Sequence, residues 1–195
     1  MKVPKSWDDI SIERYVSISE ELERGFKTFD DKINLIAKIT GKTVKEVKQN
    51  KVPDFTRAIA SLVWLNNLPD KKTPHIFKVS GYKFKVRYSI TDYNGGEFID
   101  LMKHKENPNK NMHKMLAVIC EQKRTILKRR KLSRKEKEQL FYESLSMGTA
   151  YPIALFFSKL LRASLRATLT YLGKKAVKRL RNMRKDGVGL SSSVT

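Results

Sequence analysis

Residues 76–88 read Ile76-Phe77-Lys78-Val79-Ser80-Gly81-Tyr82-Lys83-Phe84-Lys85-Val86-Arg87-Tyr88, and this stretch decides the fold class. In its second half Tyr82, Phe84, Val86 and Tyr88 alternate with Lys83, Lys85 and Arg87. A strand turns successive side chains to opposite faces, so this arm has one apolar and one cationic face. Ile76 and Val79 mark a first arm, and Ser80-Gly81 supplies the turn between the two. A lone hairpin is marginal in water. It must therefore pack on helices or pair with another strand, of this chain or of another subunit.

Working outward, the rest of the chain reads as helix. Upstream, Ser19-Glu20-Glu21 has the look of a helix start, and Asp30-Asp31 opens a stronger helix with the stripe Ile33, Ile36, Ala37, Thr40 and a stop at Gly41. Thr43 to Gln49 predicts a short helix with Val44 and Val47 inward, and Pro53-Asp54 opens another that carries Phe55, Ile59, Leu62 and Val63. Downstream, Glu97 to His104 predicts a helix with Phe98, Leu101 and Met102 inward. A loop follows around Pro108, then a helix over Met112 to Gln122. Ser133 with Glu136 makes a capping box for a helix that ends at Gly148. Pro152 then stands as the first residue of the last helix.

That last helix has the clearest pattern. Ile153, Phe156, Phe157, Leu160, Leu161, Ser164, Leu165, Thr168, Leu169 and Leu172 share one stripe, opposite Lys159, Arg162 and Arg166. The expected fold is α+β, mostly α-helical with one β-hairpin, with a long amphipathic C-terminal helix followed by a basic tail. Residues 1–172 form the single domain in this reading, and residues 173–195 a partly disordered tail.

Charge is distributed unevenly. Residues 1–122 carry 22 Lys/Arg against 16 Asp/Glu, whereas residues 123–195 carry 19 against 4. A field of that sign attracts phosphate backbones, anionic lipid or an acidic protein surface. The candidate contacts to an anionic partner are Lys123, Arg124, Lys128, Arg129, Arg130, Lys131, Arg134 and Lys135, then Lys174, Lys175, Lys178, Arg179, Arg181, Arg184 and Lys185. Few acids interleave with them, so i,i+4 pairing does not account for the charge. No aromatic residues interleave either, so contact with nucleic acid would be to the backbone and not by base stacking.

The apolar stripe is a core helix, an oligomer contact or a membrane-surface helix. Its candidate partner-facing residues are Phe156, Phe157, Leu160, Leu161, Leu165 and Leu169. An alternative DNA contact is a helix-turn-helix over Lys32 to Gln49, with Ala37 at the crossing, Gly41 in the turn and Lys42, Lys45, Lys48 and Gln49 offered to DNA. Against it, Lys42 holds a turn position that is usually apolar, and Pro53 keeps the second helix short.

No catalytic constellation is present. His75, His104 and His113 lack the spacing of a metal site, and Asn94-Gly95-Gly96 lacks the Lys-Ser/Thr of a phosphate loop. The expectation is a protein that is not an enzyme and takes no cofactor, metal or small-molecule substrate. Cys120 is the single cysteine, which excludes a disulfide scaffold and reads as a buried thiol. The first residues have no apolar core of a signal peptide. The longest apolar run, Ala150 to Phe157, is too short to span a bilayer, so the cytoplasm is the default compartment.

One further pattern is the order of motifs. It runs from Ser6-Trp7-Asp8-Asp9-Ile10-Ser11 through Asp31-Lys32-Ile33, Ile39-Thr40-Gly41 and Val44–Val47 to the hairpin around Gly81-Tyr82. It continues with Gly96-Glu97-Phe98-Ile99-Asp100-Leu101, Asn111-Met112-His113-Lys114 and Leu116 to Ile119, and closes with Met147 to Phe157. In that order the chain resembles small morphogenesis proteins of tailed bacteriophages, of the tail-assembly-chaperone type, especially those of phages of gut Bacteroidetes. The resemblance implies an α+β assembly protein without catalysis that binds other phage proteins in the host cytoplasm. The basic C-terminal third departs from that type. It raises a second phage role, a minor virion component at the head–tail junction or beside packaged DNA. A helix-turn-helix DNA-binding protein and a peripheral membrane binder are the other expectations to weigh, and self-association is open.

Overall fold

The computed structural model describes residues 3–123 and 130–185. The fold is α+β and mostly helical. After a short 3-10 turn at Trp7–Asp9 come α1 (Ile12–Arg24), α2 (Phe29–Thr40), α3 (Val44–Lys48) and α4 (Val52–Ala60). A 3-10 turn at Val63–Asn66 leads to β1 (Ile76–Val79) and β2 (Tyr82–Val86). Then follow a turn at Ile90–Asp92, α5 (Gly95–His104), α6 (Pro108–Ile119), β3 (Cys120–Lys123), α7 (Arg134–Ser144) and α8 (Met147–Lys185). The chain divides into two compact units, one ending at Phe157 and one beginning at Ser158. Residues 173–185, assigned to the tail by sequence, belong to α8.

The hairpin forms as its sequence requires. Val79 pairs with Tyr82, which leaves a two-residue loop. Ser80 at φ 46° and Gly81 at φ 77° are both left-handed, the conformation whose twist matches paired strands. The third strand is the addition. Residues 120–123 continue straight out of α6 and pair with β2, so the sheet order is β1-β2-β3, antiparallel throughout. The expected helix to Gln122 therefore stops at Ile119. Its end is capped from outside: Lys137 Nζ donates to Ala117 O at 2.7 Å and to Cys120 O at 2.9 Å, and the Arg87 N–H donates to Ile119 O at 3.1 Å.

Other boundaries also move to better caps. The first helix starts at Ser11, whose hydroxyl accepts from the Arg14 N–H, and not at Ser19, which is buried mid-helix. Thr28 and Asp31 form a capping box for α2, and Gly41 ends it at φ 69°. Val47 of α3 is buried, but Val44 faces solvent. The α4 helix ends at Ala60, which leaves Val63 exposed. Pro108 opens α6 instead of interrupting a loop. Ser133 and Glu136 cap α7 as expected, but that helix ends at Ser144. Gly148 lies in the first turn of α8 and Pro152 inside it. The close approach of Asp8 explains the glycine: a Cβ on Gly148 would sit 3.2 Å from the Asp8 backbone nitrogen and closer still to its carboxylate.

The core lies between the sheet and the helices. Phe84 is fully buried, 4.8 Å edge-on to Phe141 and 5.6 Å from Phe77. A second cluster joins the start of the chain to the loops, with Trp7 5.0 Å from Trp64 and 6.0 Å from Tyr15. The two ends of the first unit are stitched by backbone bonds, Met147 N to Ile10 O at 2.8 Å and Ile12 N to Leu145 O at 3.1 Å.

Arg87 braces the exit of the sheet. Its guanidinium donates to both carboxylate oxygens of Glu97, at 2.8 and 3.1 Å, to Asp92 O at 2.9 Å and to Val118 O, and it lies 4.3 Å over the Tyr93 ring. Glu97 also accepts from the Asn94 N–H, which caps α5. One ion pair thus ties β2, α5 and the end of α6.

Candidate functional site

The structure separates the basic residues into those it uses internally and those it leaves to solvent. Arg130 pairs with Glu136, and Arg134 pairs with Asp100 and with Glu138 at 3.1 Å. Of these two candidate contacts, Arg134 links α7 to α5 through Asp100, while Arg130 pairs with Glu136 of α7 and keeps its side chain 73% exposed. Asp100 is held below the usual carboxylate range by Arg134. Lys131 and Lys135 are exposed, with no ion pair among the described residues. Arg124, Lys128 and Arg129 lie outside the described residues.

Among the described residues, Lys159, Arg162, Arg166, Lys174, Lys175, Lys178 and Arg179 are exposed and form no ion pair. Lys175 sits 6.0 Å over the Tyr171 ring. Leu169, Arg181, Arg184 and Lys185 are placed on α8 by its backbone.

The expected partner-facing stripe divides at the same place. Phe157 is buried core of the first unit, edge-on to Tyr93 at 5.5 Å, and Phe156 is half-buried against Tyr88 at 5.0 Å. These two rings are therefore taken by their own chain. Leu161 is buried and Leu160 half-buried. Leu165 and Leu172, seven residues apart and so on one side of the helix, are exposed, as is Val177 on another side.

The helix-turn-helix outline is present as α2, a turn at Gly41 and α3, but α3 has five residues. At about 1.5 Å per residue it is shorter than the major groove is wide. Lys42, Lys45, Lys48 and Gln49 are exposed, and Lys48 is paired with Asp30 at 3.4 Å.

Strand register adds a cationic set that charge counting along the chain misses. Lys83 pairs on one side with Lys78 and on the other with Lys123. Residues paired across an antiparallel ladder share a face, so three lysines stand in one row across the sheet. Lys85 lies on the same face, between Ile76 and Glu121. The alternation in β2 signals this face, but the row depends on β3, which the sequence hid inside a helical run.

Among the described residues no group of three or more His, Cys, Asp or Glu could hold a metal ion. Burial presses the basicity of His113 down, and its ring lies 4.8 Å from Tyr142. Burial pushes the Cys120 thiol up to about 12, which leaves it protonated and unreactive at neutral pH. No helix among the described residues is long and apolar enough to cross a membrane. Comparison with family models, with curated proteins and with solved structures found no match to this chain.

Proposed function

We propose that this chain is a non-enzymatic assembly or minor virion protein of a tailed bacteriophage. It binds other phage proteins and touches an anionic polymer through its basic C-terminal helix. The observation that carries the reading is the second unit. Among the described residues, Lys159, Arg162, Arg166, Lys174, Lys175, Lys178 and Arg179 of α8 form no ion pair, and Leu165, Leu172 and Val177 of the same helix are exposed. Like charges four residues apart, as at Lys174 and Lys178 or Lys175 and Arg179, repel and oppose an isolated helix. Exposed apolar residues along the same helix add surface that a partner protein would cover. The motif order between residue 6 and about residue 172 supports a phage morphogenesis role. The five-residue α3 favours backbone contact over a helix-turn-helix that reads bases.

The test is duplex DNA binding over a salt series, with the full chain and a truncation after Leu172. Backbone contact through the helix predicts affinity that falls steeply with salt, little sequence preference and a shallower slope on truncation. No binding at low salt removes nucleic acid from the account and assigns the charge to an acidic protein partner. A strong preference for one DNA sequence would favour the helix-turn-helix, and co-sedimentation with vesicles that requires anionic lipid would favour a membrane-surface role.

A further inference from the structure

We propose that the outer face of the β-sheet is a separate phosphate-backbone site, whose occupant is double-stranded nucleic acid. The face is defined by register. Lys78, Lys83 and Lys123 lie side by side on β1, β2 and β3. Adjacent strands are about 4.8 Å apart, so the row is about 10 Å wide. Lys85 stands two residues along β2 from Lys83, about 6.8 Å away, and extends the row into a patch. Among the described residues Lys78, Lys83 and Lys85 make no ion pair, and Lys123 meets only Glu121, at 3.7 Å. The opposite face holds Phe77, Val79, Phe84, Val86 and Cys120 in the core. The fold therefore needs apolar residues on one face but nothing cationic on the other. Like charges directly opposite one another oppose strand pairing. A row of three is a cost that an anionic ligand removes.

The chemistry of the face selects the occupant. Duplex nucleic acid carries one charge per about 1.7 Å of axis, a density that can meet every lysine of the patch. An acidic protein strand offers its same-face carboxylates along a single line, so it follows one direction of the patch and not both. A lipid surface calls for apolar side chains that enter it, and Ile76 at the edge is the only exposed one among the strand residues of this face. Single strands are held by stacking on aromatic rings, and the described strand residues of this face include none. Lysines bind as point charges and not as bidentate forks, so the site holds backbone without reading sequence. The inference rests on the proposed function for the nature of the ligand, but it concerns different residues from those of α8.

The experiment uses the full chain, a random-sequence DNA duplex and a salt series. Three proteins are compared: wild type, the triple variant K78Q/K83Q/K85Q, and the truncation after Leu172. Loss of three phosphate contacts makes the slope of log affinity against log salt shallower by about 2.7, at 0.9 per contact. The charge-retaining variant K78R/K83R/K85R keeps the wild-type slope. A triple-glutamine variant that binds with the wild-type slope overturns the sheet site. If truncation still lowers the slope in that case, the α8 reading stands alone. A lowered slope in the triple variant with none on truncation upholds the sheet and refutes the helix. Should the triple variant fail to fold, lysine acylation of the wild-type protein decides. Duplex DNA slows modification of Lys78, Lys83 and Lys85 if the site is real, and leaves their rates unchanged if it is not. Tighter binding to an acidic peptide or to anionic vesicles than to duplex at equal salt also overturns the proposal.

Discussion

Replacing Arg87 by Met should loosen the first unit more than any surface change, and the size of the effect can be worked from its contacts. The side chains of Arg87 and Glu97 are 19% and 29% exposed, so the pair is neither a free surface bridge nor a sealed one. Surface pairs contribute about 0–1 kcal/mol, and breaking a buried pair costs about 3–5 kcal/mol. Arg87→Met strands the Glu97 carboxylate and removes the donors to Asp92 O and Val118 O. We expect a loss of about 2–3 kcal/mol. Glu97→Gln keeps an oxygen for the Asn94 N–H and should lose less, about 1–2 kcal/mol. The double variant should fall short of the sum by about 1–2 kcal/mol, the coupling of groups in direct contact. The assay is urea unfolding followed by tryptophan emission, because Trp7 and Trp64 both belong to the first unit. With an m-value of about 2 kcal/mol/M, the Arg87→Met midpoint drops by about 1–1.5 M. Additive single losses, or a shift for Arg87→Met no larger than for Glu97→Gln, would refute the brace.

Three other outcomes follow from the same structure. The hydrogen bonds from Arg87 hold Glu97 below the ordinary carboxylate range, so its stabilising contribution is complete above the unfolded value of about 4.3 and fades as pH falls through the lower folded value. The gap in urea midpoint between wild type and Glu97→Gln should therefore be constant above about pH 5 and close in stronger acid. Gly148→Ala drives a methyl toward the Asp8 carboxylate and backbone, and should cost about 1–3 kcal/mol in thermal unfolding; an unchanged midpoint would mean that the 3-10 turn at Trp7–Asp9 yields freely. The Cys120 thiol should resist a thiol reagent at pH 8 in the native protein and react fully in denaturant, and fast native labelling would contradict its burial.

The elements that the sequence announced are those with local causes. Period-2 alternation in 82–88, Gly41 after an apolar stripe, and Ser133 with Glu136 each carry their own geometry, and each is found where it was expected. The elements that moved depend on distant partners. The strand at Cys120–Lys123 has no alternation of its own and exists because β2 offers an edge and because Lys137 and Arg87 take the carbonyls that end α6. For Phe156 and Phe157 the sequence left core and partner face both open, since helical periodicity shows which residues share a side but not what lies against them. Tyr88 and Tyr93 occupy that side. Among the candidate contacts, Arg134 meets Asp100, an acid far along the chain that counting along the sequence does not reveal, and Arg130 meets Glu136.

The stitch between residues 10–12 and 145–147 sets a clock on synthesis. Both seams of that closure are unavailable until Met147 has left the ribosome, by which time α1 to α7 have already emerged. Contacts of such long sequence separation slow folding, because the intervening loop must be ordered before they form. At about 5–20 residues per second the chain spends roughly seven to twenty-seven seconds with the backbone edge at Ile10 and Ile12 unpaired. During that interval the nascent protein presents that edge to whatever stands near the tunnel exit. The residues that follow, from Ser158 onward, emerge beside a unit already able to close.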